Sequence, residues 1–373
     1  MGLLIVILVG FGLTAGLKYW LPALGTRSKQ QDLKNRWSAE LKPTVGGIVF
    51  YLYFVFSIGV CFIDGQLGCN DPMVFLLCGS LAFGIGLWDD IKRISVSKKF
   101  IGQLLVATVF MFSHYHFHFF SFISEGNTLL ELILNKAATF LIVVAFMNSV
   151  NMIDNMDGAA VVAVFPVMIA GGLHHNMVCM VMFCGMALVL LGFLMLNWNP
   201  AKVYMGDSGS MLLGYLCVLS ILLMNRCDQT EFVDQAALVG SVHCFNDHIP
   251  IGALELILTV SLCSIFLTDT AVVVFNRWRH GASPTQGGCD HTTHNLNYIG
   301  LSPTKICVIL FVFGICQVII GFFLSEAAPY GLGGKFFKWH IIIYLFPSCA
   351  YFLTMLLISF RNLRKGKYSY IKK

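Results

Sequence analysis

Eleven apolar stretches separated by short polar connections run through this 373-residue chain. A helix that crosses the hydrocarbon core of a bilayer needs about 20 predominantly apolar residues. The stretches lie at about Leu3–Leu21, Gly46–Phe62, Met73–Trp88, Phe100–Phe119, Leu129–Met147, Ala159–Leu173, Met177–Leu196, Gly209–Met224, Ile249–Phe275, Lys305–Leu324 and His340–Phe360. The ninth is long enough to cross and project beyond the bilayer. The fifth carries Glu131 and Lys136, whose spacing does not make an ideal helical pair. Composition agrees: 57% of residues are apolar and 12% are charged, against roughly 25% charged in an average soluble protein. The expected fold is an all-α polytopic membrane protein of ten to eleven transmembrane helices. Residues 1–373 form one integral membrane domain that ends in a basic tail at 361–373. Soluble enzymes, disordered chains and nucleic-acid binders built on a basic surface are excluded.

The few charges give the orientation. The first stretch has no basic residue before Lys18, so it reads as a retained spanning helix with its N-terminus outside rather than a cleaved signal peptide. With that start, Lys18 and the first, third, seventh and ninth loops and the tail carry 20 of the 24 basic residues on the cytoplasmic side, as the positive-inside rule requires. The expected location is the inner (plasma) membrane, crossed many times. The 13 cysteines include no C-x-x-C pair and sit mostly in apolar runs, as small hydrophobes do.

The polar clusters fall in the same cytoplasmic loops. A channel or transporter more often places ionisable groups near the bilayer midplane; gathering them at one face suits an enzyme that joins a water-soluble substrate to a lipid one. The third loop opens with Trp88-Asp89-Asp90, adjacent carboxylates that repel unless a cation or proton intervenes. A solvated helix end balanced by Lys92 and Arg93 is the plainer reading. The fifth loop, Asn148–Gly158, holds Asn151, Asp154, Asn155 and Asp157. In a helical turn Asp154 and Asp157 share a face, and Asn155 and Gly158 tolerate left-handed backbone. The seventh loop runs from Asn197 through Tyr204 to Gly206-Asp207-Ser208-Gly209, where Asp207 or Ser208 can cap the following helix and its N–H groups can receive a phosphate. The ninth loop carries Cys289, His291 and His294, which lack a fourth ligand for zinc; the histidines suit pyrophosphate better. His114, His116 and His118 alternate with aromatics and read as an interfacial belt.

Together the loops offer carboxylates for a hard cation, amides and an aromatic for a base, and donors for phosphates. Mg2+ takes one or two carboxylates plus substrate phosphate oxygens, and phosphoryl transfer asks mainly for positioning and charge neutralisation. The residues alone therefore point to metal-assisted transfer of a phospho-group onto a membrane lipid.

Pro43-Thr44-Val45-Gly46-Gly47, Trp88-Asp89-Asp90, the Asn148–Gly158 loop, Pro200–Gly209 and the histidine-containing last loop follow one another in this order. In that set the chain resembles the polyprenyl-phosphate N-acetylhexosamine-1-phosphate transferase family (glycosyltransferase family 4). The resemblance implies a Mg2+-dependent enzyme, with Mn2+ as a substitute, that moves a HexNAc-1-phosphate from a UDP-sugar to undecaprenyl or another polyprenyl phosphate and releases UMP. It implies a first membrane step of cell-envelope polysaccharide assembly, such as O-antigen or lipopolysaccharide, in the lipid bilayer, with a homodimer as a compatible assembly. It carries over Asp89, Asp90 and Asp207 as catalytic residues, with Asp207 and Asp89 on the metal. Asn151, Asp154, Asp157, Asn197 and Tyr204 match nucleotide and sugar positions, and Lys99, His291 and His294 match phosphate-facing ones. Asp89 or Asp90 would act as base on the lipid phosphate, or as nucleophile through a phospho-enzyme. Asn155 stands where the family usually has Gly, and Asp269-Thr270 also resembles the GlcNAc-1-phosphate branch. The His291-Thr292-Thr293-His294 string places the chain nearer that branch, with GlcNAc as the default sugar, than phospho-MurNAc-pentapeptide translocase. A membrane transporter is the remaining, non-enzymatic alternative.

Overall fold

The computed structural model describes residues 26–27, 42–64, 71–121, 128–173, 179–239, 251–283, 288–327 and 334–368. The first expected span, most of the first loop and the last residues of the tail lie outside them. Twelve helices follow one another among the described residues: α1 (Gly46–Asp64), α2 (Asp71–Lys92), α3 (Val96–Phe110), α4 (Thr128–Ile153), α5 (Ala159–Gly172), α6 (Met180–Asn197), α7 (Gly206–Val239), α8 (Ile251–Leu262), α9 (Ser264–Arg279), α10 (Thr292–Tyr298), α11 (Pro303–Ala327) and α12 (Gly334–Arg364). Two-residue strands, β1 (Thr26–Arg27) and β2 (Pro43–Thr44), pair antiparallel. The all-α membrane architecture expected from the apolar runs is what the chain forms.

Among the described residues, which leave out the first expected stretch, fewer than ten helices are full-length spans. Seven described helices are long and apolar enough to cross a bilayer, or eight with the bent pair α8–α9 counted as one. Each of the ten expected stretches after the first still corresponds to helix. The differences are of length and continuity: α5 has only 14 residues, α3 has 15, and the long ninth stretch breaks at Cys263, where α8 and α9 meet at 72°. The basic tail begins inside α12, whose last turn contains Arg361 and Arg364.

The fourth stretch shows why length misleads. Its helix stops at Phe110, and residues 111–121 continue as irregular turns. Irregular backbone at membrane depth persists only where protein satisfies it, and here polar side chains of neighbouring helices do so. Thr139 Oγ1 and Asn135 Oδ1 on α4 accept from the N–H groups of Phe117 and Phe120, both at 2.9 Å. Glu255 on α8 accepts from His118 N at 2.8 Å, and Asp71 accepts from His114 N at 3.1 Å. Lys136 donates to the Met111 carbonyl at 3.3 Å. Lys136, one of the two charges of the fifth stretch, therefore supports a neighbouring segment. Phe117 and Phe119 pack into the bundle, whereas His114 is exposed and His116 and His118 are half-buried, so the aromatic side of the alternation faces inward.

The bundle is built around α7. Its segment Gly206–Met224 is almost wholly buried, consistent with a helix apolar all round, and α1, α2, α4 and α5 pack on it. Small residues let the backbones approach, as is usual between membrane helices. A Cβ on Gly86 of α2 would run into the backbone of Asp207 and Ser208. This contact brings the C-terminal end of α2 against the N-terminal end of α7. The start of α3 and the end of α4 meet them at the same end of the bundle.

Candidate active site

At that end, one ammonium joins three chain segments. Lys99, in the first turn of α3, places Nζ 3.1 Å from Asp89 Oδ2 and 2.9 Å from Asp207 Oδ2. It also donates to Asn151 Oδ1 on α4 at 3.2 Å. Burial opposes the charge on Lys99, but Asp207 and Asp89 beside it prevail and lift its pKa above the ordinary lysine value. Two carboxylates against one ammonium leave the cluster net negative.

Each member is held by bonds of its own. Asp89 Oδ1 accepts from Ile94 N at 2.9 Å across the α2–α3 turn, a turn in which Arg93 takes a left-handed φ of 50°. Asn151 Nδ2 donates to Asp207 Oδ1 at 2.6 Å and to Ser210 Oγ at 2.8 Å. Asp90 points elsewhere. Its two oxygens accept from the backbone N–H groups of Asp207 (2.8 Å) and Ser208 (3.0 Å). Asp90 thus caps α7 from another helix, where the N-terminal N–H groups have no partner of their own. The expectation that Asp207 or Ser208 caps this helix is corrected: the helix starts at Gly206, and the cap comes from α2. Gly206 has φ +75°, and a Cβ there would lie 2.6 Å from Asp90 Oδ2, so the cap requires glycine.

The seventh loop is tied down in several places. Tyr204 N donates to Pro43 O at 2.9 Å, and Tyr204 O accepts from Val45 N and Gly46 N, both at 3.2 Å. The Pro43–Gly47 motif is therefore the brace that fixes the approach to Asp207. The Tyr204 ring is buried, with Lys42 Nζ 5.6 Å from its centroid. Asn197 is buried too; it accepts from Gly158 N at 3.0 Å and donates to Val203 O at 2.7 Å. Asp157 Oδ2 accepts from Ala201 N at 2.9 Å and Asn199 Nδ2 at 3.1 Å. Asn197 and Asp157 thus lock the fifth and seventh loops together. Asp154 lies in the turn after α4 and is half-buried. Asp154 and Asp157 do not continue the helix, which ends at Ile153, so the shared helical face expected for them is absent. Left-handed backbone falls on Gly158 (φ 78°) and not on Asn155.

The ninth loop forms a second, buried polar cluster. His291 Nδ1 lies 2.8 Å from Asp269 Oδ2 on α9, and Asp269 Oδ1 accepts from Thr292 N (2.7 Å) and Thr292 Oγ1 (2.6 Å). Burial works against the charged imidazole, but Asp269 outweighs it, and the pKa of His291 is raised. His294 behaves oppositely: burial and the neighbouring His291 push it down to about 4. Arg277 forks onto Asp290 with bonds of 2.8 and 2.6 Å. Thr293 donates to Asn155 Oδ1 at 2.6 Å, which ties this loop to the fifth loop. Among the described residues no group of three or more His, Cys, Asp or Glu is placed to hold a metal ion.

Sequence reading alone did not reach Ser210, the Arg277–Asp290 pair, or the bond from Asp269 to His291. The last had a signal, because a buried Asp inside an apolar run needs a partner.

Fold and site together define a multi-pass membrane protein with a carboxylate–lysine centre at one end of its bundle. Residues 72–225 match the model of glycosyl transferase family 4. The matched stretch contains the whole Asp89–Lys99–Asn151–Asp207 cluster and stops short of His291. The chain is 32% identical over 209 residues to the phospho-N-acetylmuramoyl-pentapeptide-transferase of Staphylococcus haemolyticus, an alignment covering 49% of the chain and 63% of that protein. It is 25% identical over 310 residues to the enzyme of the same name from Staphylococcus saprophyticus, covering 76% and 85%. It is 26% identical over 309 residues to that of Staphylococcus aureus, again covering 76% and 85%. These relatives carry the name of the branch that the last-loop motif had placed further away.

Proposed function

We propose that the chain transfers a HexNAc-1-phosphate from a UDP-sugar to undecaprenyl or another polyprenyl phosphate and releases UMP. The observation that carries this reading is the Lys99 ammonium bridging Asp89 and Asp207 at one end of a membrane bundle. Both reactants are anionic, and a net negative centre repels them unless a cation joins it. The oxygen-only set of Asp207, Asp89 and the Asn151 carbonyl suits Mg2+, with Mn2+ as a substitute. When bound, that ion supplies neutralisation of the diphosphate charge.

The chain's own residues would supply the rest. An oxygen of the lipid phosphate attacks the phosphorus that carries the sugar, and the bond from that phosphorus to the bridging oxygen of UMP breaks. Asp89 faces the centre and is the candidate base on the lipid phosphate, or the nucleophile of a phospho-enzyme route. Asp90, with both oxygens on backbone N–H groups, serves as an anchor. Lys99 offers its ammonium to a phosphate. His291, whose pKa Asp269 raises against the effect of burial, is a donor for the diphosphate, and His294 lies one helical turn on. Tyr204 and Asp154 border the loop assigned to the nucleotide. The positive-inside count supports a cytoplasmic location for this end, where UDP-sugars are available, and such a transfer suits a step in cell-envelope polysaccharide assembly.

GlcNAc is the default sugar on the last-loop motif. The second reading, transfer of phospho-MurNAc-pentapeptide, is favoured by the names of the aligned Staphylococcus proteins. Purified protein is offered UDP-GlcNAc, UDP-GalNAc and UDP-MurNAc-pentapeptide with undecaprenyl phosphate and Mg2+, and UMP and lipid product are scored. UMP formation with a HexNAc donor supports the first reading, and UMP formation with the MurNAc donor alone supports the second.

A further inference from the structure

We propose that Asn362, in the last turn of α12, is a positioning residue that acts through Asn295 on His291. The inference rests on the transferase reading above, in which His291 meets the diphosphate. It adds to that site a buried residue on a different helix.

Three observations carry it. First, Asn295 grips the backbone at His291. Its Nδ2 donates to Asp290 O at 2.9 Å and to His291 O at 3.0 Å. The His291 carbonyl also accepts from Asn295 N at 2.9 Å, as the helix begins, whereas Asp290 precedes the helix. The Asn295 side chain therefore fixes the backbone from which the His291 ring leaves. Second, Asn362 decides which way the Asn295 amide faces. The two ends of an amide are alike in shape and opposite in hydrogen bonding. Asn362 Nδ2 donates to Asn295 Oδ1 at 3.0 Å and to Asn295 O at 2.9 Å. This holds the amide oxygen toward α12 and turns the nitrogen to the loop. Both asparagines are buried, where an amide without partners is costly. Third, ring and backbone are held from the same pair of helices. Asn276 Nδ2 on α9 donates to Ser359 Oγ on α12 at 2.6 Å, one turn before Asn362. The same α9 carries Asp269, whose Oδ2 lies 2.8 Å from His291 Nδ1. The charged and titratable groups around His291 are Asp269 and Arg277 on α9, Asp290 beside it and His294 on α10. Of these, Asp269 bonds the ring, and a backbone freed from Asn295 lets the ring drift from it.

The test is the pH–rate profile of UMP release by the purified full-length protein in detergent, with undecaprenyl phosphate, Mg2+ and the three UDP-sugar donors named above. Asn362→Leu removes both bonds to Asn295 at similar size. It is expected to lower turnover on the order of 10-fold, as a small displacement of a positioned group does. The alkaline limb is expected to move toward acid by about one pH unit, because the ring loses its carboxylate. Asn362→Ser keeps one donor and adds no apolar bulk. It is the milder lesion, expected to move the limb the same way by less. Asn362→Leu added to Asp269→Asn is expected to move the limb no further. A limb that stays in place or moves toward alkaline in a folded Asn362 variant would overturn the positioning role and leave the transferase reading standing. So would a further shift on top of Asp269→Asn. No UMP from the wild type with any of the three donors would overturn both.

Discussion

Asp90 Oδ1 accepts the backbone N–H of Asp207 at 2.8 Å, so the residue next to Asp89 holds the start of the helix that presents Asp207. Two adjacent carboxylates thus do different work. Asp89 faces Lys99, and Asp90 ties α2 to α7. The seam between these helices sets the distance from Asp89 to Asp207, and Lys99 spans it.

This division separates two conservative variants. Asp89→Asn should keep its thermal stability and lose turnover on the order of 10²–10³-fold, the scale of losing one electrostatic partner of a transition state. Asp90→Asn places an amide N–H against the N–H of Ser208. It should cost about 1–3 kcal/mol, as an unsatisfied buried donor does, and lower the melting temperature. Melting curves and UMP release on the same preparations check both.

The Asp269–His291 pair makes a pH prediction. Asp269 raises the pKa of His291 against the effect of burial. In Asp269→Asn the imidazole should lose its proton at lower pH, so the alkaline limb of the pH–rate profile should move toward acid. A lesion of packing alone would lower the whole profile without moving that limb.

His294 predicts a stability slope. Its pKa falls from 6.5 in the absence of burial to about 4 in the protein. Between those values the unfolded chain binds a proton that the folded chain refuses, so this group's contribution is present above pH 6.5 and is lost as pH falls toward 4. His294→Leu should flatten the dependence of melting temperature on pH in that window. An unchanged slope would contradict the assignment.

The Arg277–Asp290 fork is buried at both ends, with side chains 5% and 3% exposed. Removing one partner leaves an uncompensated charge, which costs about 3–5 kcal/mol. Arg277→Met should lower stability by that order, and the double change Arg277→Met with Asp290→Leu should recover much of it. Melting of the three proteins tests the pair.

The sequence makes the spans after the first visible as helices, because an apolar run cannot lie in lipid any other way. Asp89, Asn151 and Asp207 also stand out, as carboxylates or an amide at the end of such a run, whereas Lys99 enters only through the family resemblance. Three things are not legible. The end of α3 at Phe110 depends on Thr139, Asn135 and Glu255, which lie on other helices. The division between Asp89 and Asp90 depends on where α7 starts relative to α2, a property of packing at Gly86. The burial of Asn197 and Asp157 as loop clamps depends on contacts about 40 residues apart in the chain. Local spacing encodes which residues can do chemistry, and only the assembled bundle decides which of them are spent on holding it together.

The central claim is that the centre at Asp89, Lys99 and Asp207 moves a sugar together with its phosphate. The direct measurement uses a UDP-sugar labelled at the phosphorus attached to the sugar, with undecaprenyl phosphate, Mg2+ and purified protein. Label is expected in the lipid in equal amount to UMP formed, and both are expected to be lost in Asp207→Ala. Release of UDP in place of UMP, or full activity in Asp207→Ala, would contradict it.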